Sequence, residues 1–173
     1  MFRGRFLHTM DTKGRLSIPS GFRVEIQRRS QNDPVLTSQG AHLALFPADE
    51  WERKEEVLVG LSDFNTDAQD LQRLLVGEAS DSPLDAQGRI LVPTLMRKEA
   101  DLESKVLVIG VLDRIELWNP ERFEEKKRMT LLRAEEIKQT VAPDRQKAGA
   151  WSVFGGEVGA RAPAERMGCP RST

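Results

Sequence analysis

One nine-residue pattern occurs twice in this chain. Asp11-Thr-Lys-Gly-Arg-Leu-Ser-Ile-Pro19 aligns with Asp85-Ala-Gln-Gly-Arg-Ile-Leu-Val-Pro93, so that Asp, Gly, Arg, two aliphatic positions and Pro fall at a constant offset of 74 residues. Arg23 and Arg97 keep the same offset. Further on, Leu43-Ala-Leu-Phe46 matches Ile115-Glu-Leu-Trp118 and Trp51 matches Phe123, now at an offset of 72. Two diverged copies of one unit of about forty residues therefore organise the chain, and such units bury their apolar faces against one another.

Each copy carries the same local signals. A short strand (Leu7 to Met10; Ser82 to Leu84) leads into Asp-x-x-Gly, where Asp suits the first turn position and Gly supplies a positive φ, predicting a tight hairpin. The return strand, Arg15 to Ile18 or Arg89 to Val92, ends at Pro19 or Pro93, which stops a ladder and suits a helix start. A short helix follows through Phe22, Val24 and Ile26, or through Leu95, Met96 and Ala100. Two strands rich in branched and aromatic residues complete a β-α-β-β unit: Pro34 to Thr37 with Leu43 to Phe46, and Val106 to Val111 with Ile115 to Trp118. A charged helix is expected after each copy, from Asp49 to Leu58 and from Glu121 to Gln139. Between the copies, Thr66 to Val76 puts Leu71, Leu74 and Leu75 on one face, predicting a packed linker helix. From Ala142 the chain turns to Pro, Gly, Arg and Ala, and a poorly ordered tail is expected.

Composition excludes several function classes. The 173 residues are 39% hydrophobic, as in ordinary globular proteins. The longest apolar stretch, Val106 to Leu112, is far short of the roughly 18 residues a membrane span needs, and with no apolar run after Met1-Phe-Arg-Gly-Arg-Phe no export leader is expected. A cytoplasmic protein is expected. A single cysteine, Cys169, permits neither a disulfide framework nor a cysteine metal site. His8 and His42 have no partner at metal-ligand spacing, Ser17, Ser20 and Cys169 sit in no nucleophile motif, and Gly155-Gly156-Glu157-Val158-Gly159 is no phosphate loop. A carboxylate pair such as Glu55 and Glu56 reads as a solvated helix face. No enzymatic activity, metal, cofactor or small-molecule substrate is expected.

The string from Met1 to Pro19, with the second motif and Asp113-Arg-Ile-Glu-Leu-Trp118, resembles the MraZ family over about residues 1 to 140. The resemblance implies an α+β fold of two tandem swapped-hairpin modules of the AbrB type around a pseudo-symmetric, barrel-like core. It also implies a ring-shaped homo-oligomer on the nucleoid, repressing transcription at repeated sites in double-stranded DNA upstream of the division and cell-wall gene cluster, its own gene included. The sequence departs from the family pattern at Gly21 and Gln87, where lysine is expected, and in the tail beyond about Lys147. On this reading residues 1–52 form the first module, 53–80 a helical linker, 81–124 the second module, 125–141 a last helix and 142–173 a tail.

The residue types suit that function. Long, permanently charged donors at a hairpin end can reach phosphates, and an arginine on a two-stranded ribbon can read guanine in the major groove. Arg15 is the candidate for base reading, with Lys13, Arg3 and Arg5 for phosphate, and Arg89 is its counterpart in the second copy. Asp11, Gly14, Asp85 and Gly88 shape the turns. Residues 1–30 carry seven basic side chains against two acidic, whereas residues 81–114 carry five against six, so the first copy is expected to dominate binding. Arg23, Arg28 and Arg29 rank lower as a solvated helix face, and Arg97 and Lys98 lower still. Leu45, Phe46, Trp51, Leu117, Trp118 and Phe123 are either subunit interface or intrachain core. The alternative function is an antitoxin-like or structural protein-interaction module with the same hairpin fold.

Overall fold

A computed structural model describes residues 1–61, 65–134 and 136–137. Residues Met1–Leu132 form one compact unit. In chain order it contains β1 (Phe2–Thr9), β2 (Arg15–Ser17), α1 (Ser20–Arg29), β3 (Val35–Ser38), β4 (Leu43–Phe46), α2 (Ala48–Val59), α3 (Thr66–Leu75), β5 (Ser80–Asp81), β6 (Arg89–Leu91), α4 (Thr94–Glu99), β7 (Lys105–Leu112), β8 (Arg114–Trp118) and α5 (Pro120–Leu132). Of the second unit, from Arg133, the described residues make one helical turn, with the Ile137 amide donating to the Arg133 carbonyl. The end of the helix expected to reach Gln139, and the tail from Ala142, lie outside the described residues.

Prolines punctuate the elements as the pattern requires. Pro19, Pro47 and Pro93, each at φ near the value its ring enforces, stand directly before α1, α2 and α4. Asn119 accepts from the amides of Glu121 and Arg122, capping α5 ahead of its first-turn proline.

The strands form one six-stranded antiparallel sheet, in the order β1-β7-β8-β4-β3-β5, and a separate ribbon of β2 and β6. Equating β1 with β5, β3 with β7 and β4 with β8 leaves that order unchanged on reversal, so the sheet has a two-fold axis between β4 and β8. The first strand of each copy pairs with the third strand of the other, β1 with β7 and β5 with β3, and the return strands pair with each other. This is the swapped-hairpin arrangement. Within the first copy the expected hairpin survives only as a bridge between Met10 and Leu16. No closed sheet is found among the described strands, so the core is an open sheet under a ribbon rather than a barrel.

Both copies supply the core. Leu16 and Ile90, on the inner face of the ribbon, join Leu43, Leu45, Val106, Val108, Ile115 and Leu117 of the sheet, with Phe22, Ile26 and Met96 from the short helices. Val24 and Leu95, expected in the same helical core faces, are exposed instead, because α1 and α4 each touch the core along a narrow stripe. The linker helix departs further from expectation. In α3 only Ala68 is buried, and Leu71 and Leu74 are 44% and 64% exposed: the helix is tied to β3 at its end, where Thr37 donates to the Leu75 carbonyl at 2.8 Å, and its leucines line an open cleft beside the β3–β4 turn. Leu45, Phe46, Trp51, Leu117 and Trp118 are all buried within the chain, which favours their role as intrachain core.

Candidate nucleic-acid interface

The two repeated motifs meet on the ribbon. Arg15 lies opposite Leu91, Leu16 opposite Ile90, and Ser17 opposite Arg89. Directly opposed residues share a face, so Arg15, Ser17, Arg89 and Leu91 all point outward while Leu16 and Ile90 point into the core. The two arginines are diagonal neighbours, with Cα atoms roughly 8 Å apart from a two-residue rise and one strand spacing. Such a ribbon fits a major groove about 12 Å wide.

A turn flanks the ribbon at each end. The Gly14 amide donates to the Asp11 carbonyl at 2.9 Å and the Asp11 amide to the Arg15 carbonyl at 3.0 Å; Gly88, Asp85 and Arg89 repeat the arrangement at 2.8 Å and 2.8 Å. Gly14 and Gly88 have φ of 85° and 72°, a region side chains rarely adopt. The turns then lock across copies: the Val92 amide donates to Gly14 and the Ile18 amide to Gly88.

Each Asp is fully occupied by its own turn. Asp11 Oδ1 accepts the amides of Lys13 and Arg15, both at 2.9 Å, and Oδ2 accepts Arg15 Nε at 2.6 Å. Asp85 accepts the amides of Gln87 and Arg89 and the Arg89 Nε in the same way. These bonds hold both carboxyls below the ordinary carboxylate range, the Arg15 amide leading for Asp11 and the Arg89 side chain for Asp85. The arginines are thereby oriented while keeping terminal nitrogens for a partner.

In those terminal nitrogens the two sites differ. Arg15, 39% exposed, has no partner for its Nη atoms among the described residues. Arg89 is 28% exposed and its Nη2 is held twice, by Asp85 at 2.7 Å and by Gln87 Oε1 at 3.0 Å. The Gln87 departure therefore does more than remove a charge, since it ties up the neighbouring arginine.

The remaining basic residues scatter. Arg3 and Arg5 stand on β1, roughly 26 Å and 20 Å of extended strand upstream of Asp11 at about 3.3 Å per residue. Arg5 is engaged by Glu124 at 2.8 Å. The structure thus brings together Lys13, Arg15 and Arg89, and leaves Arg3 and Arg5 at the other end of the strand. Arg28 pairs with Glu25, and Arg29, only 13% exposed, bridges Glu25 and Glu50 over the Phe2 ring. Glu50 and Glu124, from outside the first thirty residues, neutralise part of their basic excess in this way. Arg23 and Arg97, ranked low from sequence, lie instead against the turns: Arg23 Nη1 reaches the Gln87 carbonyl at 3.4 Å, and Arg97 borders a small cleft with Asp11 and Thr12. Their shared offset of 74 was the signal that they belong to the motif.

The family model described as "MraZ protein, putative antitoxin-like" matches twice, over residues 1–74 and 75–139. A protein of Legionella pneumophila (strain Corby), named transcriptional regulator MraZ, is 41% identical over 142 residues, covering 81% of this chain and 92% of its own length. Proteins of the same name from Haemophilus influenzae (strain PittEE) and Thiobacillus denitrificans are each 40% identical, over 69% and 72% of this chain and 80% and 84% of their own lengths. With both copies matched in order and nearly all of a relative's length covered, the chain belongs to the MraZ family.

Proposed function

We propose that this protein is a DNA-binding transcriptional regulator that reads double-stranded DNA with the outward face of the β2–β6 ribbon. The observation that carries this reading is the placement of Arg15 and Arg89 on one face of one ribbon, each held at Nε by a turn aspartate. An ion pair closing an exposed hairpin adds little stability. Two such pairs, oriented alike on a surface that a major groove accepts, suit recognition.

Arg15 reads a base, Lys13 contacts a neighbouring phosphate, and Arg89 contributes less because Gln87 holds it. Arg3 and Arg5, distant from the ribbon, would meet phosphate only where DNA runs along β1. The protein acts as a repressor at repeated short sites upstream of the division and cell-wall gene cluster, its own gene included. One ribbon makes few contacts, so a homo-oligomeric ring that engages several repeats at once gains affinity through effective concentration. A place on the nucleoid in the cytoplasm accords with this role, and no described helix is long and apolar enough to cross a membrane. Nothing in the ribbon suggests catalysis.

The test is a gel shift with the DNA upstream of the protein's own gene across a salt series. A shift that weakens steeply with salt is expected. Failure to shift that DNA at low salt overturns the reading.

A further inference from the structure

The two reading turns are not free-standing. A methyl group placed on Gly14 would lie 2.9 Å from Cζ of Arg97, and one placed on Gly88 would lie 2.7 Å from Cζ of Arg23. Each guanidinium therefore rests against the turn glycine of the opposite copy. The Nε of Arg23 and the Nε of Arg97 are both buried, and neither has an acceptor among the described residues. A buried donor without a partner is costly and uncommon. Here it occurs at both equivalent positions of the repeat. One further nitrogen of each is engaged: Arg97 Nη2 donates to Thr94 Oγ1 at 2.8 Å, and Arg23 Nη1 to the Gln87 carbonyl at 3.4 Å.

We propose that Arg23 and Arg97 are positioning residues that brace the reading turn of the opposite copy, so that Arg97 sets the presentation of Lys13 and Arg15 while Arg23 sets that of Gln87 and Arg89. The proposal rests on the DNA-reading function above. Its chemical basis is the flat, weakly hydrated guanidinium, which packs on a peptide plane where an ammonium cannot. Glycine at 14 and 88 then has a second cause beside its positive φ: it leaves room for the brace. The first reading head is in consequence built from both copies, and the second copy contributes to it through Arg97 whether or not Arg89 meets DNA.

The test uses the full chain with Arg97→Lys, which keeps the charge and removes the plane, alone and combined with Arg15→Ala. Specific affinity for the upstream DNA is expected to fall about tenfold in Arg97→Lys, with the slope of log affinity against log salt unchanged. A smaller loss than in the wild type is expected when Arg97→Lys is added to Arg15→Ala, because only Lys13 is then left for the brace to present. Full affinity in Arg97→Lys, or additive losses in the double variant, would overturn the proposal. A second readout needs no DNA. Backbone amide resonances of Lys13 and Gly14 should shift in Arg97→Lys, and those of Gln87 and Gly88 in Arg23→Lys; shifts confined to the substituted copy, or none, would also overturn it. If Arg97→Lys fails to fold, Arg23→Lys in the Arg89→Ala background decides by the same measurements. A wild-type protein that binds no DNA while showing the crossed amide pattern would sink the regulator function and leave the brace standing.

Discussion

Replacing Arg15 by alanine should separate reading from folding. The side chain is 39% exposed, and Asp11 keeps its two backbone amide bonds after the guanidinium is gone, so the turn and the ribbon persist. Leu16, the neighbour that anchors the ribbon, is fully buried and untouched. What is lost is a donor for the major groove, worth about 1–3 kcal/mol against the wrong base. That corresponds to about 5- to 150-fold per engaged ribbon, multiplied where several subunits bind together. Arg89→Ala removes a donor on the same face, but one whose Nη2 already spends itself on Asp85 and Gln87, so its loss should be smaller. The assay is a gel shift or fluorescence titration on the upstream DNA at fixed salt, with the thermal midpoint and oligomer size as controls. Arg15→Ala should lose specific binding and keep both controls. Equal losses from Arg15→Ala and Arg89→Ala would refute the reasoning that Gln87 holds one arginine back, and retained specificity in Arg15→Ala would refute the reading face itself.

Gln87→Ala should free Arg89 and raise affinity for DNA about two- to fivefold, within what one weak side-chain hydrogen bond supplies; a titration showing a loss would mean that Gln87 itself touches DNA. Gly14→Ala should destabilise the fold by about 1–3 kcal/mol in chemical denaturation, since φ is 85° and the new methyl would meet the Val92 carbonyl oxygen at 2.8 Å. Leu112, 64% exposed at φ 55° at the end of β7, holds a conformation unfavourable for leucine, and Leu112→Asn should stabilise by about 0.5–1 kcal/mol in the same measurement. Burial pushes the Glu116 carboxyl up, but His42, Trp118 Nε1 at 2.9 Å and Arg114 outweigh it and hold it at about 2. Because this folded value lies below the ordinary 4.5, the stabilisation is complete above about pH 4.5 and drains away as pH falls towards about 2, a loss of about 3 kcal/mol. Acid unfolding of Glu116→Gln should lack that part of the limb; an identical acid profile would show that Glu116 is not its cause.

Much of this fold was legible because its signals are local or repeated. Prolines before helices, glycine in an Asp-x-x-Gly turn and branched residues in strands act within a few residues of themselves, and the offset of 74 joined both copies into one pattern. Strand pairing was not legible in the same way. A hairpin drawn from Leu7 to Ile18 is the nearest partner in sequence, yet β1 and β2 pair with β7 and β6, and nothing in a single hydrophobic pattern distinguishes a local partner from its repeat. Apolar spacing also misplaced α3, because Leu71, Leu74 and Leu75 share a helical face whether or not anything covers it. Charge counting failed differently. The excess of basic residues before position 30 is a property of the chain, but Glu50 and Glu124 arrive in space to cancel part of it.

The asymmetry that survives is confined to a few side chains on a symmetric frame, and this bears on how the protein meets its sites. A ribbon with identical ends would read two inverted half-sites equally, as symmetric dimers do. Here one end presents Lys13 with an Arg15 whose Nη atoms have no partner among the described residues, while the other presents Gln87 with an arginine it retains. Between them the outward face sets Ser17 beside Arg89 and the 58% exposed Leu91 beside Arg15. The ribbon thus has a direction. In the proposed homo-oligomer, such a directional reader would match a run of sites that all point the same way, with no need of palindromes.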